Sequence, residues 1–190
     1  MTTYKNIKGI EIKYLSADPP APKAGQVWYN STSKVVKGGI NGLGAWASGG
    51  ALNLGRDSAG GAGTQTAGLI FGGLNPPAYR NNTEVYNGSS WTEVNNLNTG
   101  RLGLGGAGDT NTSALAFGGE AATGTVAITE SWNGTSWTEL ADLATGRQFP
   151  GAAGTSNLSA LCFGGEVPPS TAITEEWTVP ATTTNLVMSD

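Results

Sequence analysis

The sequence predicts an all-β fold built from three copies of one unit. Landmark residues recur every 45 or 46 positions: Trp46, Trp91 and Trp137; Arg56, Arg101 and Arg147; and a Phe-Gly-Gly triplet ending at Gly73, Gly119 and Gly165. Glu84, Glu130 and Glu175 follow in the same phase. Self-similarity at a fixed period of this length marks a repeat architecture. Inside each period, short apolar runs alternate with Gly pairs and Asn-Gly dipeptides, which punctuate strands. No convincing helical stretch interrupts them.

Composition agrees. Glycine accounts for 30 of the 190 residues, and Leu, Ile, Val and Phe together for only 35. So small an aliphatic content would suit a disordered chain if net charge were high. The formal net charge is −4 and the aromatic residues are regularly spaced, so the Gly and Ala content signifies closely packed backbones.

Residues 1–44 predict a small β module. "KGIEIKYLS" (Lys8–Ser16) alternates like a strand, and "SADPPAPKAGQ" (Ser16–Gln26) is a Pro-rich turn. "GQVWYNSTSKVVKGG" (Gly25–Gly39) reads as a hairpin turning at "NSTS". All six lysines (Lys5, Lys8, Lys13, Lys23, Lys34 and Lys37) fall here; with Glu11 and Asp18 the first 37 residues sum to +4. The rest carries four Arg against twelve acids, or −8. A basic foot on an acidic body suits docking to an acidic partner, although ordinary surface drift gives the same pattern.

Residues 45–179 hold the repeats, at about 57–97, 102–143 and 148–177. In the second, "TSALAFGG" (Thr112–Gly119), "AITESW" (Ala127–Trp132) and "SWTEL" (Ser136–Leu140) are three strands. "LGLGGAGDT" (Leu102–Thr110) is a fourth, of the kind expected where backbones crowd together. Asn87-Gly88 lies between Tyr86 and Trp91, and Asn133-Gly134 between Trp132 and Trp137. Each is a hairpin tip with an aromatic residue on both arms. The third copy stops at "TEEWTVP" (Thr174–Pro180) and lacks its fourth strand, whereas Trp46–Asn53 stands alone in front of the array as an orphan fourth strand. Residues 180–190 form a polar tail.

This grammar resembles the kelch motif, a β-propeller blade. The resemblance rests on Phe71-Gly72-Gly73, Tyr86, Trp91 and Arg101, and on Phe117-Gly118-Gly119, Trp132, Trp137 and Arg147; the third copy repeats it at Phe163-Gly164-Gly165 and Trp177. Unlike the usual motif, the aromatics are five apart and no His follows the Arg. Those departures are similar to kelch-like proteins of tailed bacteriophages, particularly marine ones. "DPPAPKAGQVWYNSTS" resembles N-terminal segments of phage virion and tail-fibre proteins, although a simple β cap over the first repeat would read alike. The resemblance implies a virion location and attachment to other virion proteins through residues 1–44. Three blades do not close a ring, since propellers have about 4–8. A homo-oligomer is therefore expected: a dimer completing a six-bladed ring, or a trimeric shaft.

Several residues are candidates for binding. Arg56, Arg101 and Arg147 would form a cationic ring able to clamp an anionic sugar or phosphate; a structural Arg paired with an in-phase Glu has the same signature. The loops after each Gly pair, Leu74–Asn82, Glu120–Ala127 and Glu166–Ala172, differ most between copies, and Tyr79 and Arg80 stand outside the repeat grammar there. An aromatic and an Arg on a variable loop suit stacking on a host-surface polysaccharide. The leading expectation is a non-enzymatic tail-fibre or surface adhesin. The alternative is a purely architectural capsid or tail decoration.

The chain has no His and one Cys, which excludes His-based triads and His-ligated metal sites, and no cofactor is expected. Cys162 takes the place of Ile70 and Ala116, as a small buried residue. A glycan hydrolase would need two carboxylates about 5–10 Å apart, a role left to Asp57 and Asp109. The acidic repeat region argues against nucleic acid. No run is apolar enough to insert in a membrane.

Overall fold

The computed structural model describes residues 12–40 and 44–181. Every regular element among them is a β-strand. The chain divides into two compact units, with the boundary between Ser48 and Gly49.

The first unit is a three-stranded sheet of β1 (Lys13–Leu15), β2 (Val27–Asn30) and β3 (Val35–Gly38). β2 and β3 form the expected hairpin, and β1 runs parallel to β2. The turn after Asn30 is set by its own side chain, whose Oδ1 accepts from the backbone N–H groups of Thr32 and Ser33 at 3.0 Å. The strand expected from Lys8 begins in part outside the described residues.

Asp18, at the head of the Pro-rich segment, closes this unit. Its Oδ1 accepts from Trp28 Nε1 (2.9 Å) and Asn30 Nδ2 (2.8 Å), and its Oδ2 accepts from Lys37 Nζ (2.5 Å). One carboxylate thus ties the segment to both arms of the hairpin. Hydrogen bonds from Lys37, Asn30 and Trp28 hold its pKa down to about 2 from an ordinary 3.8. A depressed carboxylate contributes stability that is complete above its unfolded pKa and is lost as pH falls through the folded value. The unit is therefore expected to loosen between pH 3.8 and about 2. Trp28 fluorescence should report that step, and Asp18→Asn should remove it.

The second unit contains three main antiparallel sheets, one per repeat, and two small ones. The first has the order β4 (Gly60–Thr64), β5 (Ala67–Phe71), β8 (Thr83–Tyr86), β9 (Trp91–Val94). Between β5 and β8 the chain makes a short hairpin of β6 (Leu74–Asn75) and β7 (Ala78–Tyr79). After β10 (Arg101–Leu102), the second sheet has the order β11 (Gly105–Thr110), β12 (Ser113–Phe117), β15 (Thr129–Trp132), β16 (Trp137–Glu139). Its short hairpin is β13 (Glu120–Ala121) with β14 (Gly124–Thr125). Among the described residues the third sheet has β17 (Gly151–Ser156), β18 (Ser159–Phe163) and β19 (Thr174–Thr178).

Strand content matches the repeat grammar, with three strands in the third copy among the described residues. The short hairpins do not appear in that grammar, because two-residue pairings carry no apolar periodicity. The Asn-Gly tips behave as expected: Gly88 and Gly134 have φ of 93° and 91°. They place Tyr86 opposite Trp91 and Trp132 opposite Trp137, with ring centroids 4.9 and 5.3 Å apart. The stretch Trp46–Asn53 carries no strand within the single chain, and Trp46 is fully exposed.

The Gly-rich strands do lie where backbones crowd. β11 packs between β4 and β17. At Gly106 a Cβ would sit 2.4 Å from the carbonyl oxygen of Gly61 on β4 and 2.9 Å from the Phe71 ring. Gly106→Ala should force the first two sheets apart and cost about 1–3 kcal/mol, measurable by urea unfolding. Unchanged stability would show that the sheets are not in close register there.

Candidate functional site

The three Arg residues share one environment, and it is internal. Arg56 Nη1 lies 2.6 Å from Glu84 Oε1, and Arg101 Nη1 lies 2.6 Å from Glu130 Oε1. Arg147 pairs likewise with Glu175. All three Arg side chains are withdrawn from solvent. The ligand-clamping role expected for Arg56, Arg101 and Arg147 therefore gives way to a structural one: no bound sugar reaches a guanidinium that is already buried and paired. Burial pulls the Arg101 pKa below its usual value, with the Glu130 charge opposing. Burial pushes the Glu84 carboxyl up, but the hydrogen bonds from Asn53 and Arg56 outweigh it and leave the pKa lowered.

Arg101 and Arg147 also join neighbouring repeats. The backbone carbonyl of Arg101 accepts from Gly73 N–H of the first repeat (2.8 Å), while its side chain holds Glu130 of the second. Arg147 does the same one period later, accepting from Gly119 N–H at 2.7 Å. The Phe-Gly-Gly triplet is needed for this. Gly73 and Gly119 both have φ of 103°, and a Cβ at Gly73 would lie 2.6 Å from the carbonyl oxygen of Asp57.

Asn53 and Asn98 complete the clasp. Each gives both its backbone N–H and its side-chain amide to the second oxygen of the same carboxylate, all at 2.8 Å. These Asn residues were not among the candidates, yet their signal was readable: "NLGR" at Asn53–Arg56 and "NTGR" at Asn98–Arg101 are in phase. The third copy reads "ATGR", and there only the backbone N–H of Ala144 remains to bond Glu175.

Tyr79 and Arg80 are half-buried and engaged with the protein. Tyr79 ends the short hairpin of the first repeat, and its Oη donates to Glu120 Oε1 of the second (3.0 Å). That hydrogen bond raises the phenol pKa. Arg80 Nη2 reaches Asn75 Oδ1 at 3.4 Å, and its Nε is buried without a partner among the described residues. The pair thus braces the hairpin against the next repeat, where free display was expected.

Asp57 and Asp109 are not brought together. Asp57 precedes β4 and bridges to Leu74, whereas Asp109 lies near the far end of β11. Aligning Gly60–Thr64 with Gly105–Thr110 puts Thr110 at the place of Thr64, seven residues beyond Asp57, with Asp109 the extra residue just before it. At about 3.3 Å per residue the two stand roughly 20 Å apart along the inner strands, well beyond a hydrolase pair. Cys162 is buried as expected, and burial pushes its thiol pKa up. Phe149 lays its ring over Gly103 and stays more than half exposed. No group of three potential metal ligands occurs among the described residues.

A cavity opens between the second and third sheets. Leu115, Phe117, Thr129, Leu143, Cys162 and Trp177 are among the residues that line it. Sequence reasoning did not single out this place.

The fold and these contacts define an all-β repeat protein whose recurring charges hold its own sheets together. No family model matches the chain, and no curated protein matches it.

Proposed function

We propose that this chain is a non-enzymatic structural component of a tailed-phage particle: an array of kelch-like blades that completes its ring or shaft with further copies of itself, attached through the N-terminal module. One observation carries the reading. The three repeat-phase Arg–Glu pairs and both out-of-phase loop residues are used to join one repeat to itself or to the next. A chain that commits its polar groups this way is built for rigidity and serial stacking. The Asp18 clasp supports the attachment role, since it makes the "DPPAPKAGQVWYNSTS" segment a self-contained fold. The phage assignment follows from the resemblance of that segment and of the repeats.

Deleting the gene's product from the phage should leave particles that fail to assemble or lose a surface projection, with electron microscopy as the readout. Particles of unchanged structure that merely adsorb poorly would overturn the architectural role.

One observation favours the adhesin as a second reading. The short hairpins of the first two repeats and the Glu166–Ser170 bridge of the third occupy the same place, but their tips read Pro76-Pro77, Ala122-Thr123 and Val167-Pro168-Pro169. Constant backbone with varied tips is how a rigid framework displays recognition loops. Glycan-array binding that disappears in Tyr79→Ala/Arg80→Ala, with stability retained, would establish it.

A further inference from the structure

The two inter-sheet clusters are copies of each other, except that the second is one indole short. Between the first and second sheets Trp137 is buried, with its ring 4.9 Å from Phe71 and its Nε1–H donated to Thr83 Oγ1 at 3.0 Å. Leu69, Leu97, Leu104, Ala114, Ala116 and Trp132 complete that cluster. One period later the same places are held by Phe117, Thr129, Leu115, Leu143, Cys162 and Trp177, all of them in the lining of the cavity. Residues 178–190 contain no Trp.

We propose that this cavity is the seat for the indole of Trp46 from a second copy of the chain, with Ala47 and Ser48 of that copy extending the third sheet beside β19. Trp46 is the one Trp in the phase of Trp91 and Trp137 that has no sheet, and it is fully exposed. Its spacing to Asn53 is seven residues, as from Trp91 to Asn98. Asn53 grips Glu84 as Asn98 grips Glu130. Gly50 lies against the Ser89 carbonyl, which a Cβ would approach to 2.2 Å; its counterpart Asn95 donates to Thr135 O at 2.8 Å. The chain therefore enters the first sheet as it would when leaving the fourth strand of a preceding sheet.

The same chain cannot supply that strand to itself. Gly49 and Gly50 lie against Tyr86 and Ser89 of the first sheet, and Trp46 is only three residues upstream. Three extended residues span about 11 Å. The second sheet stands between the first and the third, and packed sheets are about 10 Å apart, so the third lies about 20 Å away. The far face of the third sheet also awaits a neighbour. Phe71 and Phe117 are 0% and 3% exposed beneath the next sheet, whereas Phe163 is 41% exposed. β19 is an edge strand with no outer partner among the described residues, and such an edge is a template for another chain. Thr129 would accept the Trp46 indole N–H as Thr83 accepts that of Trp137.

The inference rests on the proposed self-assembly, and a cross-link separates the two. Thr138 faces Ser131 in the second sheet, so Ala47 of one copy should face Glu176 of the other. Facing Cα atoms about 4.5–5.5 Å apart are within disulfide reach. In full-length chains carrying Cys162→Ala, mixing Ala47→Cys with Glu176→Cys under mild oxidation should yield a linked dimer. Adding Trp46→Ala to the first chain should lower the yield at least tenfold while its melting curve stays unchanged. Multimers by native mass without the cross-link would overturn the indole seat and leave assembly standing. Monomers of 19.3 kDa at every concentration would overturn both. An intrachain disulfide in the Ala47→Cys/Glu176→Cys chain would overturn the seat, as would a link that forms only after residues 182–190 are removed.

Discussion

Replacing Arg101 with methionine should destabilise the second unit by about 3–5 kcal/mol, the cost of leaving a buried carboxylate without its partner. Arg101 is fully buried and bonds Glu130 Oε1 at 2.6 Å and the Ala116 carbonyl at 3.3 Å. Methionine fills much of the same volume, so the loss isolates the charge. Glu130→Gln should be costly as well, because Arg101 and Asn98 bond different carboxylate oxygens, and one amide oxygen replaces only one of them while its NH2 group faces donors. Arg101→Met/Glu130→Leu should recover a large part of the single loss, since neither charge is then buried alone. Urea unfolding of the three variants is the measurement. A loss below about 1 kcal/mol for Arg101→Met would mean the pair behaves like an exposed one and does not hold the sheets together.

Trp137→Ala should cost about as much, roughly 3–5 kcal/mol, by opening a cavity in the first inter-sheet cluster. Its ring touches Phe71 and Trp132, and its N–H satisfies Thr83, so area, aromatic contact and a hydrogen bond are lost together. Trp91→Ala provides the comparison. Trp91 occupies the same repeat position, packs on Tyr86 of its own sheet and remains half-buried, so its loss should be clearly smaller. Trp46→Ala completes the series, with no effect on the isolated chain. Equal losses at positions 91 and 137 would show that the repeat position alone sets the energetics, and that the neighbouring sheet contributes nothing.

The series also shows where sequence reading ends. Three Trp residues identical in phase belong to three different environments: buried between sheets, half-buried on one sheet, and exposed. Phase tells which strand a residue occupies, since alternation and turn chemistry are local. It does not tell whether a neighbouring sheet is present, because that depends on how many repeats the chain has on either side. The short hairpins escaped notice for a related reason. Two paired residues bury too little apolar surface to leave a periodic pattern, and their placement depends on backbone bonds to the adjoining repeat.

From the sequence alone followed the all-β class, the three units and the strands within each, all consequences of local periodicity and turn-forming residues. Only the tertiary structure decided the fate of the charges. Arg56, Arg101 and Arg147 could equally have faced a ligand or a carboxylate, for a guanidinium satisfies either. Burial settled it, because an arginine shut away from water must take a fixed partner, and the in-phase glutamates were within reach.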